Sequence, residues 1–374
     1  MDASEPKTMV SGSRCICPYS KRCARKSLPQ EMIFTILLHL PALVIRDLMR
    51  HVSREWDLMI RSPNFIHCHL LNSTSGIIFQ RFSEPRNAIY VEMRGGSLEI
   101  SKFDCGSGHL HLIPTSCNGL SLIRDSRDLY IINPLTKQRT VLPPFFLLIG
   151  LHSQFKLAFA EASMEYKVVY ALRLKPHAPP KQIAMLTVGV DKVWRQIDVE
   201  HLPLKTRIAL NTFPVVTGGY VHWIGESFVL TLNVDTETFC EFSMPRLRER
   251  FRYFLPMGSN LSVVYGSSKF TRDVWEMNSK TGEWTMLLSF DWRLVRYRLK
   301  GFFNKYREKI VPIGWLAVRE VLAFTTSHDQ RRCIAYNVKT TEIQWFELVT
   351  DFSNTDAKAY NFFSHVNSFV CLEG

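Results

Sequence analysis

The chain has 374 residues, of which 46% are hydrophobic and 21% are charged, and its formal net charge is +12. That composition supplies a large core and excludes a mostly disordered protein. No apolar run approaches the roughly 20 residues of a membrane span, and nine cysteines without a secretory leader suit a reducing compartment, so we expect a protein of the cytoplasm, the nucleus or both.

Residues 1–27 are predicted to form a basic, flexible tail, because they hold six lysines and arginines against two acidic residues. The basic cluster from Lys21 to Lys26 fits either a nuclear import signal or an ordinary tail. The cysteines from Cys15 to Cys23 do not have the spacing of a zinc site, so neither a metal nor another cofactor is predicted.

From Ser27 to about residue 70 the sequence predicts three short helices. Ser27 and Pro29 are typical of a helix start, and Pro41 ends the first helix. Its apolar face has i, i+3, i+4 and i+7 spacing and consists of Ile33, Ile36, Leu37 and Leu40. The second and third helices are predicted at 42–51 and 54–61, and Ser62-Pro63 then breaks the chain again.

From about Ser75 onward, short β-type runs alternate with turn residues. Such runs, almost without long helical periodicity, predict an all-β architecture for the rest of the chain. The predicted strands are 88–93, 98–103, 129–132, 167–170, 183–188, 220–224, 228–233, 261–265 and 334–337.

An imperfect repeat runs through this β region. Four turns carry an asparagine with a threonine three residues later, between two apolar strands, which is typical of a β-hairpin. The asparagines are Asn133, Asn233, Asn278 and Asn337. The first spacing is two periods, with 191–199 as a degenerate copy in the middle, and a period of about 50 residues is that of kelch-type propeller blades.

These features predict an α+β multidomain chain, in which a short helical segment precedes an all-β, propeller-like domain with kelch-like blades. One small twisted sheet cannot bury both faces alone, whereas radially packed blades bury one another. Gly218 and Gly219, followed by Trp223, are similar to the double glycine and downstream tryptophan of kelch blades. A β-sandwich or barrel is the alternative architecture.

Taken together, residues 28–70 strongly resemble an F-box. The family pattern has a leading Leu-Pro, an Ile-Leu pair, a second Leu-Pro, a spaced Val, Trp and Ile, and a closing Pro-x-Phe. The anchors occur in that order as Leu28, Pro29, Ile36, Leu37, Leu40, Pro41, Val52, Trp56, Ile60, Pro63 and Phe65. Val52 comes one position later than in the family pattern, which predicts an extra residue or a bulge in the second helix and leaves the roles of Ile45 and Leu48 open.

The resemblance implies that these helices bind a Skp-type adaptor, which links an F-box to a cullin scaffold, and that the anchors form the adaptor-facing and helix-locking set. A unit of this size is too small to bury a stable core unaided, yet it is rich in large apolar side chains. We therefore expect part of its surface to be exposed for a partner. The alternative is a helical cap whose apolar residues pack only on the β-domain.

A second resemblance covers the chain thinly from about residue 110 to its end. The matching segments are 116–120, 132–138, 142–144, 219–223 and 368–372. The first three are similar to the start of plant F-box-associated interaction domains, and the last two are similar to later parts of that domain. The two resemblances imply a plant protein with a tail at 1–27, an F-box at 28–70 and a propeller-like substrate-binding domain at 71–374.

Positive charge is concentrated in residues 246–309, with fourteen lysines and arginines against six acidic residues. Within it, 290–309 interleaves basic and aromatic side chains, a pattern that can bind nucleic acid through phosphate pairing and base stacking. A solvated basic face on a loop between blades is the ordinary interpretation. An acidic protein partner is favoured over nucleic acid.

No nucleophile elbow, phosphate-binding loop or zinc-protease motif occurs, so no catalytic residue is predicted and we do not expect an enzyme. The sequence predicts instead the substrate-recognition subunit of a ubiquitin ligase made of a Skp adaptor, a cullin and an F-box protein. The target and the residues that bind it are unknown. Two alternatives stay open: an F-box scaffold or regulator outside any ligase, and an F-box propeller that recognises a carbohydrate or another small ligand.

Overall fold

The computed structural model describes residues 28–81, 88–103, 111–124, 128–145, 155–171, 180, 182–245, 252–268, 270–291, 293, 295, 297, 299, 309–327, 330–348 and 360–372. The predicted tail at 1–27, with its basic cluster and its cysteines, lies outside the described residues. The described part of the chain consists of a short helical segment followed by a ring of β-sheets.

Short helices occupy most of residues 30–72. The helices with described bounds are α1 Gln30–Leu38, α2 Ala42–Asp47, α3 Arg54–Ile60 and α4 Pro63–Asn72, with a 3-10 turn at Met49–His51 and a later helix, α5, at Leu204–Ala209. The three predicted helices are confirmed as α1 to α3. Within the segment predicted as the second helix, Leu48, with a φ of −123°, separates α2 from the 3-10 turn.

The chain break predicted at Ser62 and Pro63 is also the start of a fourth helix, α4, which the apolar spacing does not predict. The hydroxyl oxygen of Ser62 accepts a hydrogen bond from the backbone N–H of Phe65 at 3.2 Å, and Pro63 lies in the first helical turn. A serine N-cap followed by proline is a favoured helix start, so these two residues separate two helices. The helix continues past the predicted boundary at residue 70 as far as Asn72.

The described strands follow one another from β1 to β24. Their bounds are β1 Ser75–Arg81, β2 Ala88–Arg94, β3 Ser97–Phe103, β4 His111–Cys117, β5 Leu120–Arg124, β6 Leu129–Ile132, β7 Arg139–Val141, β8 Lys156–Ala160, β9 Glu165–Ala171, β10 Gln182–Thr187, β11 Arg195–Asp198, β12 Val215–Thr217, β13 Tyr220–Ile224, β14 Phe228–Asn233, β15 Thr238–Ser243, β16 Arg252–Met257, β17 Asn260–Gly266, β18 Thr271–Met277, β19 Trp284–Asp291, β20 Ile310–Ala317, β21 Val321–Thr326, β22 Arg332–Asn337, β23 Ile343–Glu347 and β24 Tyr360–Val366. Every predicted strand overlaps one of them.

The strands form six four-stranded antiparallel sheets within the described residues. Five sheets use consecutive strands, β4–β7, β8–β11, β12–β15, β16–β19 and β20–β23, whereas the sixth has the order β24-β1-β2-β3. The first strands of the sheets contact one another in the order β24, β4, β8, β12, β16, β20 and back to β24. This closed ring is a six-bladed β-propeller, so the predicted propeller is confirmed and the sandwich or barrel is wrong.

The ring closes where β24 pairs with β1, from Ser75 opposite Val366 to Arg81 opposite Tyr360. The last strand therefore takes the innermost position of the blade that the first three strands begin. Closing a ring in this way leaves fewer exposed strand edges than an open array of blades would have.

Each repeated asparagine turn joins the third strand of a blade to the fourth. Its side-chain carbonyl oxygen accepts a hydrogen bond from the backbone N–H two residues later, at 2.8 to 2.9 Å in all four copies. The double spacing between Asn133 and Asn233 is explained by the intervening blade β8–β11. There the degenerate copy uses Asp191, whose carboxylate accepts a hydrogen bond from the N–H of Thr187 at 2.7 Å.

Apolar side chains fill the space between every pair of neighbouring blades that the structure describes. Trp223 on β13 and Trp315 on β20 are among the largest fully buried side chains of these layers. A seventh cluster belongs to the helices and contains Leu37, Ile45 and Phe65. Each sheet is thus buried on both faces, which explains why the predicted strands are rich in apolar residues.

Candidate interaction surfaces

The two faces of the propeller carry different connections. Because neighbouring strands of a blade are antiparallel, the turns from first to second and from third to fourth strand lie on one face, which we call the turn face. It includes 118–119, 133–138 and 218–219. The opposite face, here the loop face, carries the blade-to-blade connections such as 199–214. The chain enters β1 and leaves β24 at the turn face, so the helices α1 to α4 join it there.

The helical segment is fixed to the turn face through two propeller residues, Leu135 and Phe369. Both belong to the same buried cluster as Leu37 and Phe65 of the helices. The ring of Phe369 packs edge-on against His69, with 5.4 Å between ring centroids. Arg46 Nη1 also donates a hydrogen bond to the carbonyl oxygen of Leu135 at 3.3 Å.

Six of the eleven predicted anchors are buried or half-buried. Leu37, Ile60 and Phe65 are fully buried, so these three pack inside the helical segment. Leu40, Pro41 and Trp56 are half-buried, and Leu40 and Trp56 pack against the same cluster.

The other anchors, Leu28, Pro29, Ile36, Val52 and Pro63, are exposed. Together with Leu48 and Met32, the apolar side chains among them are exposed and lie outside the buried cluster of the helices. We call Leu28, Met32, Ile36, Leu48 and Val52 the apolar set; each is about half exposed. Met32 is not an anchor of the family pattern, but it is signalled by its i, i+4 spacing with Leu28 and Ile36. The apolar residues of the helices therefore do not pack only on the β-domain.

Three of the segments that carry the second resemblance, 116–120, 132–138 and 368–372, meet on the turn face. The side-chain amide of Asn133 donates hydrogen bonds to the carbonyl oxygens of Ser368 at 2.9 Å and Val370 at 2.7 Å. The hydroxyl of Ser368 donates to the carbonyl oxygen of Asn118 at 2.5 Å. At Gly119, which has a φ of +85°, a Cβ would lie 2.2 Å from the Ser368 hydroxyl oxygen. These residues hold segment 368–372 in place against the turn face.

Segment 219–223, which also carries the second resemblance, has a structural role, because its residue His222 is completely buried. Its Nε2 lies 2.6 Å from the Thr217 hydroxyl and 3.2 Å from that of Ser279, and its Nδ1 lies 2.9 Å from the Thr231 hydroxyl. Ser279 belongs to the next blade, so the network joins two blades. Burial lowers the pKa of His222 to about 3.

We expect the free energy of unfolding to fall as the pH drops from about 6.5 to about 3. An unfolded histidine takes up a proton near pH 6.5, whereas burial lowers the pKa values of His222 and His365 to about 3 in the folded chain. The unfolded chain then binds more protons, and each histidine costs about 1.4 kcal/mol per pH unit across that window. Urea unfolding of the wild type and of His222→Gln between pH 4 and 7 checks this. Equal slopes for the two proteins would contradict it.

Basic and apolar side chains are exposed on the loop face. The predicted basic and aromatic stretch is described only in part: the side chain of Arg293 is 66% exposed and that of Tyr297 is 67% exposed, while Val295 is buried. Arg293 is paired with Asp291 and lies 5.3 Å above the ring of Phe270. Phe290 is buried. The other basic and aromatic residues of the stretch, apart from Lys309, lie outside the described side chains.

Near α5, the same face exposes the apolar residues Leu204, Ile208 and Phe213. Within the described residues no group of three or more His, Cys, Asp and Glu side chains is arranged to hold a metal ion. No described helix is long and apolar enough to cross a bilayer. The candidate surfaces are therefore the apolar set on the helices and the exposed residues of the loop face.

A helical segment with the F-box anchors, mounted on a six-bladed propeller, defines an F-box protein with a propeller domain. The chain belongs to the family of the F-box associated beta propeller domain, whose family model matches residues 79–366. Residues 28–72 supply the F-box helices ahead of that match.

Similar proteins occur in Arabidopsis thaliana. "Putative F-box/kelch-repeat protein At1g12870" is 23% identical over 311 residues, covering 71% of each chain. "Putative F-box/kelch-repeat protein At1g13200" is 22% identical over 389 residues, covering 86% of each chain. "Putative F-box protein At1g71320" is 30% identical over 141 residues, covering 32% of this chain and 35% of its own. The predicted kelch-like propeller and plant character of the chain agree with these relatives.

Proposed function

We propose that this chain is the substrate-recognition subunit of an SCF-type ubiquitin ligase, in which a Skp-type adaptor joins the F-box to a cullin. The observation that carries the proposal is the apolar set. These five side chains are exposed on a helical segment whose core is already packed around Phe65 and Phe369. Exposed apolar side chains grouped on one small unit favour a protein partner.

The arrangement of the two faces supports a receptor. The F-box helices rest on the turn face, so the loop face points away from the adaptor and is free to bind a target. The proposed ligase works by proximity: holding the target near the ubiquitin-charged enzyme raises its effective concentration, and no catalytic residue of this chain is needed. The exposed arginines and lysines of the loop face, such as Arg293 and Lys309, fit an acidic target surface.

The test is co-purification with a plant Skp-type adaptor. Ile36→Asp combined with Val52→Asp is expected to weaken adaptor binding more than about a hundredfold, because a buried interface side chain contributes about 2 kcal/mol or more. Both side chains are about half exposed in the free chain, so the variant keeps its buried core. Leu71→Asp is the matched control, since Leu71 is 71% exposed on α4 but is not an F-box anchor.

Binding that survives in the double variant, or a wild-type chain that never binds the adaptor, would remove the ligase role. If the adaptor binds, depletion of this chain in plant cells distinguishes the role of a ligase subunit from that of a scaffold outside a ligase. A bound target that accumulates on depletion supports the ligase, and unchanged levels of every bound protein support a scaffold outside it.

A further inference from the structure

The helices α2 and α3 and the turn between them line an open, strongly basic pocket of about 430 Å³. Four arginines surround it, namely Arg46, Arg50, Arg54 and Arg61, together with His51. Asp57 is the single carboxylate among the described lining residues. The pocket thus holds more positive than negative charge.

Asp57 fixes two of these arginines. Its two carboxylate oxygens accept hydrogen bonds from Arg50 Nε and Arg61 Nε, each at 2.8 Å. The hydrogen bond from Arg50 is the main cause that lowers the pKa of Asp57, and Arg61 adds to it. Because one carboxylate neutralises a single unit of charge, the pair of arginines keeps a surplus of positive charge.

The other two arginines differ in whether a carboxylate neutralises them. Arg46 is paired with Asp47, which lies outside the pocket lining, through contacts of 2.5 and 2.8 Å. Arg54 is exposed and has no carboxylate partner in the described part of the chain. Its guanidinium is therefore available to an incoming anion.

The pocket adjoins part of the apolar set along the chain. Leu48 and Val52, both more than half exposed, alternate in sequence with Arg46, Arg50 and Arg54. A partner that covers Leu48 and Val52 binds a segment whose intervening and flanking residues are these arginines, so it brings its own surface close to them. Desolvating several cations is costly unless the partner supplies carboxylates to them.

We propose that this pocket receives an acidic segment of the adaptor, carrying more than one carboxylate, while the adaptor covers Leu48 and Val52. The inference rests on the proposed function and adds to it an electrostatic recognition site. Arg54 is the arginine open to the segment, and Asp57 holds Arg50 and Arg61 in place beside it. Side chains held in place before binding lose less conformational freedom when the partner arrives.

The test measures the affinity of the full chain for a purified plant Skp-type adaptor at several salt concentrations. Arg54→Gln is expected to weaken binding about fivefold and Arg54→Glu about thirtyfold at about 0.1 M salt, with a shallower salt dependence in both. Lys280→Glu is the matched control, because Lys280 is an exposed cation on a turn of the propeller. It should leave the affinity within about twofold of the wild type.

The outcomes separate this inference from the proposed function. Wild-type affinity and salt dependence in both Arg54 variants, with binding lost in the Ile36→Asp and Val52→Asp protein, would overturn the pocket and leave the ligase role standing. An equal loss in the Lys280→Glu protein would assign the effect to the net charge of the chain and would also overturn the pocket. A wild-type chain that does not bind the adaptor at all would remove both proposals.

Discussion

Replacing Asn133 with alanine is expected to lower the free energy of unfolding by about 4 kcal/mol. Asn133 is almost fully buried and makes four hydrogen bonds. Two join it to the carbonyl oxygens of Ser368 and Val370, and two cap its own turn at the backbone N–H groups of Leu135 and Thr136. The alanine variant loses about 1 kcal/mol for each bond and leaves buried carbonyl groups without a partner.

Asn278→Ala is the matched control for this prediction, and urea unfolding is the measurement. Asn278 occupies the same position of an equivalent turn and caps it through Lys280 and Thr281, but its side chain is exposed. The loss of the Asn278 side chain is expected to lower the free energy of unfolding by about 1 kcal/mol. Similar losses for the two variants would show that segment 368–372 does not depend on Asn133.

Phe369→Ala is expected to release the F-box helices from the propeller at a cost of about 3 to 5 kcal/mol. The Phe369 side chain is 5% exposed and packs on His69, within the cluster that contains Leu37 and Phe65. Its removal leaves a cavity at the place where helices and propeller meet. Hydrogen exchange is the measurement: amides of α1 and α4 should exchange faster, while those of β17 and β21 should change little.

Phe346→Ala separates this effect from a general loss of stability. Phe346 is 7% exposed and lies between the blade β20–β23 and the blade that contains β24. The variant is expected to lose a similar free energy, because it also removes a buried phenyl group. Its faster exchange should fall on those blades. Faster exchange of α1 in this variant but not in Phe369→Ala would contradict the mounting role of Phe369.

Local patterns in the sequence predicted the helices and turns well, because the interactions that form these elements join residues close in the sequence. The asparagine turns depend on a side chain that bonds backbone groups two and three residues later, so a short motif contains the whole interaction. Pro41 and the spacing of Ile33 and Leu37 define α1 in the same way. The fourth helix could also have been predicted from the sequence, because a serine followed by proline is typical of a helix start as well as of a chain break.

Features that depend on residues far apart in the sequence could not be predicted from local sequence patterns. The turn motif gives a period for the blades, but the sixth blade exists only because β24 pairs with β1 from the other end of the chain. Ile36 and Leu37 are adjacent and both apolar, yet one is 47% exposed and the other is fully buried. Which of them faces outward is decided by the packing of α1 on α4 and by the cluster that Leu37 shares with Phe369 of the propeller.

The closure of the ring has a consequence for the order of events during translation. The F-box helices leave the ribosome before any blade, but the strand β24 and the segment behind it are made after all the other strands. Phe369 and Ser368 lie in that late segment. The surface on which the helices pack is therefore incomplete until these two residues have been synthesised. A polypeptide interrupted ahead of β24 would carry the helices on an open array with unpaired edges, a species prone to aggregate. Ring closure and the mounting of the F-box helices therefore both depend on residues 360–372, which are synthesised after the other described strands.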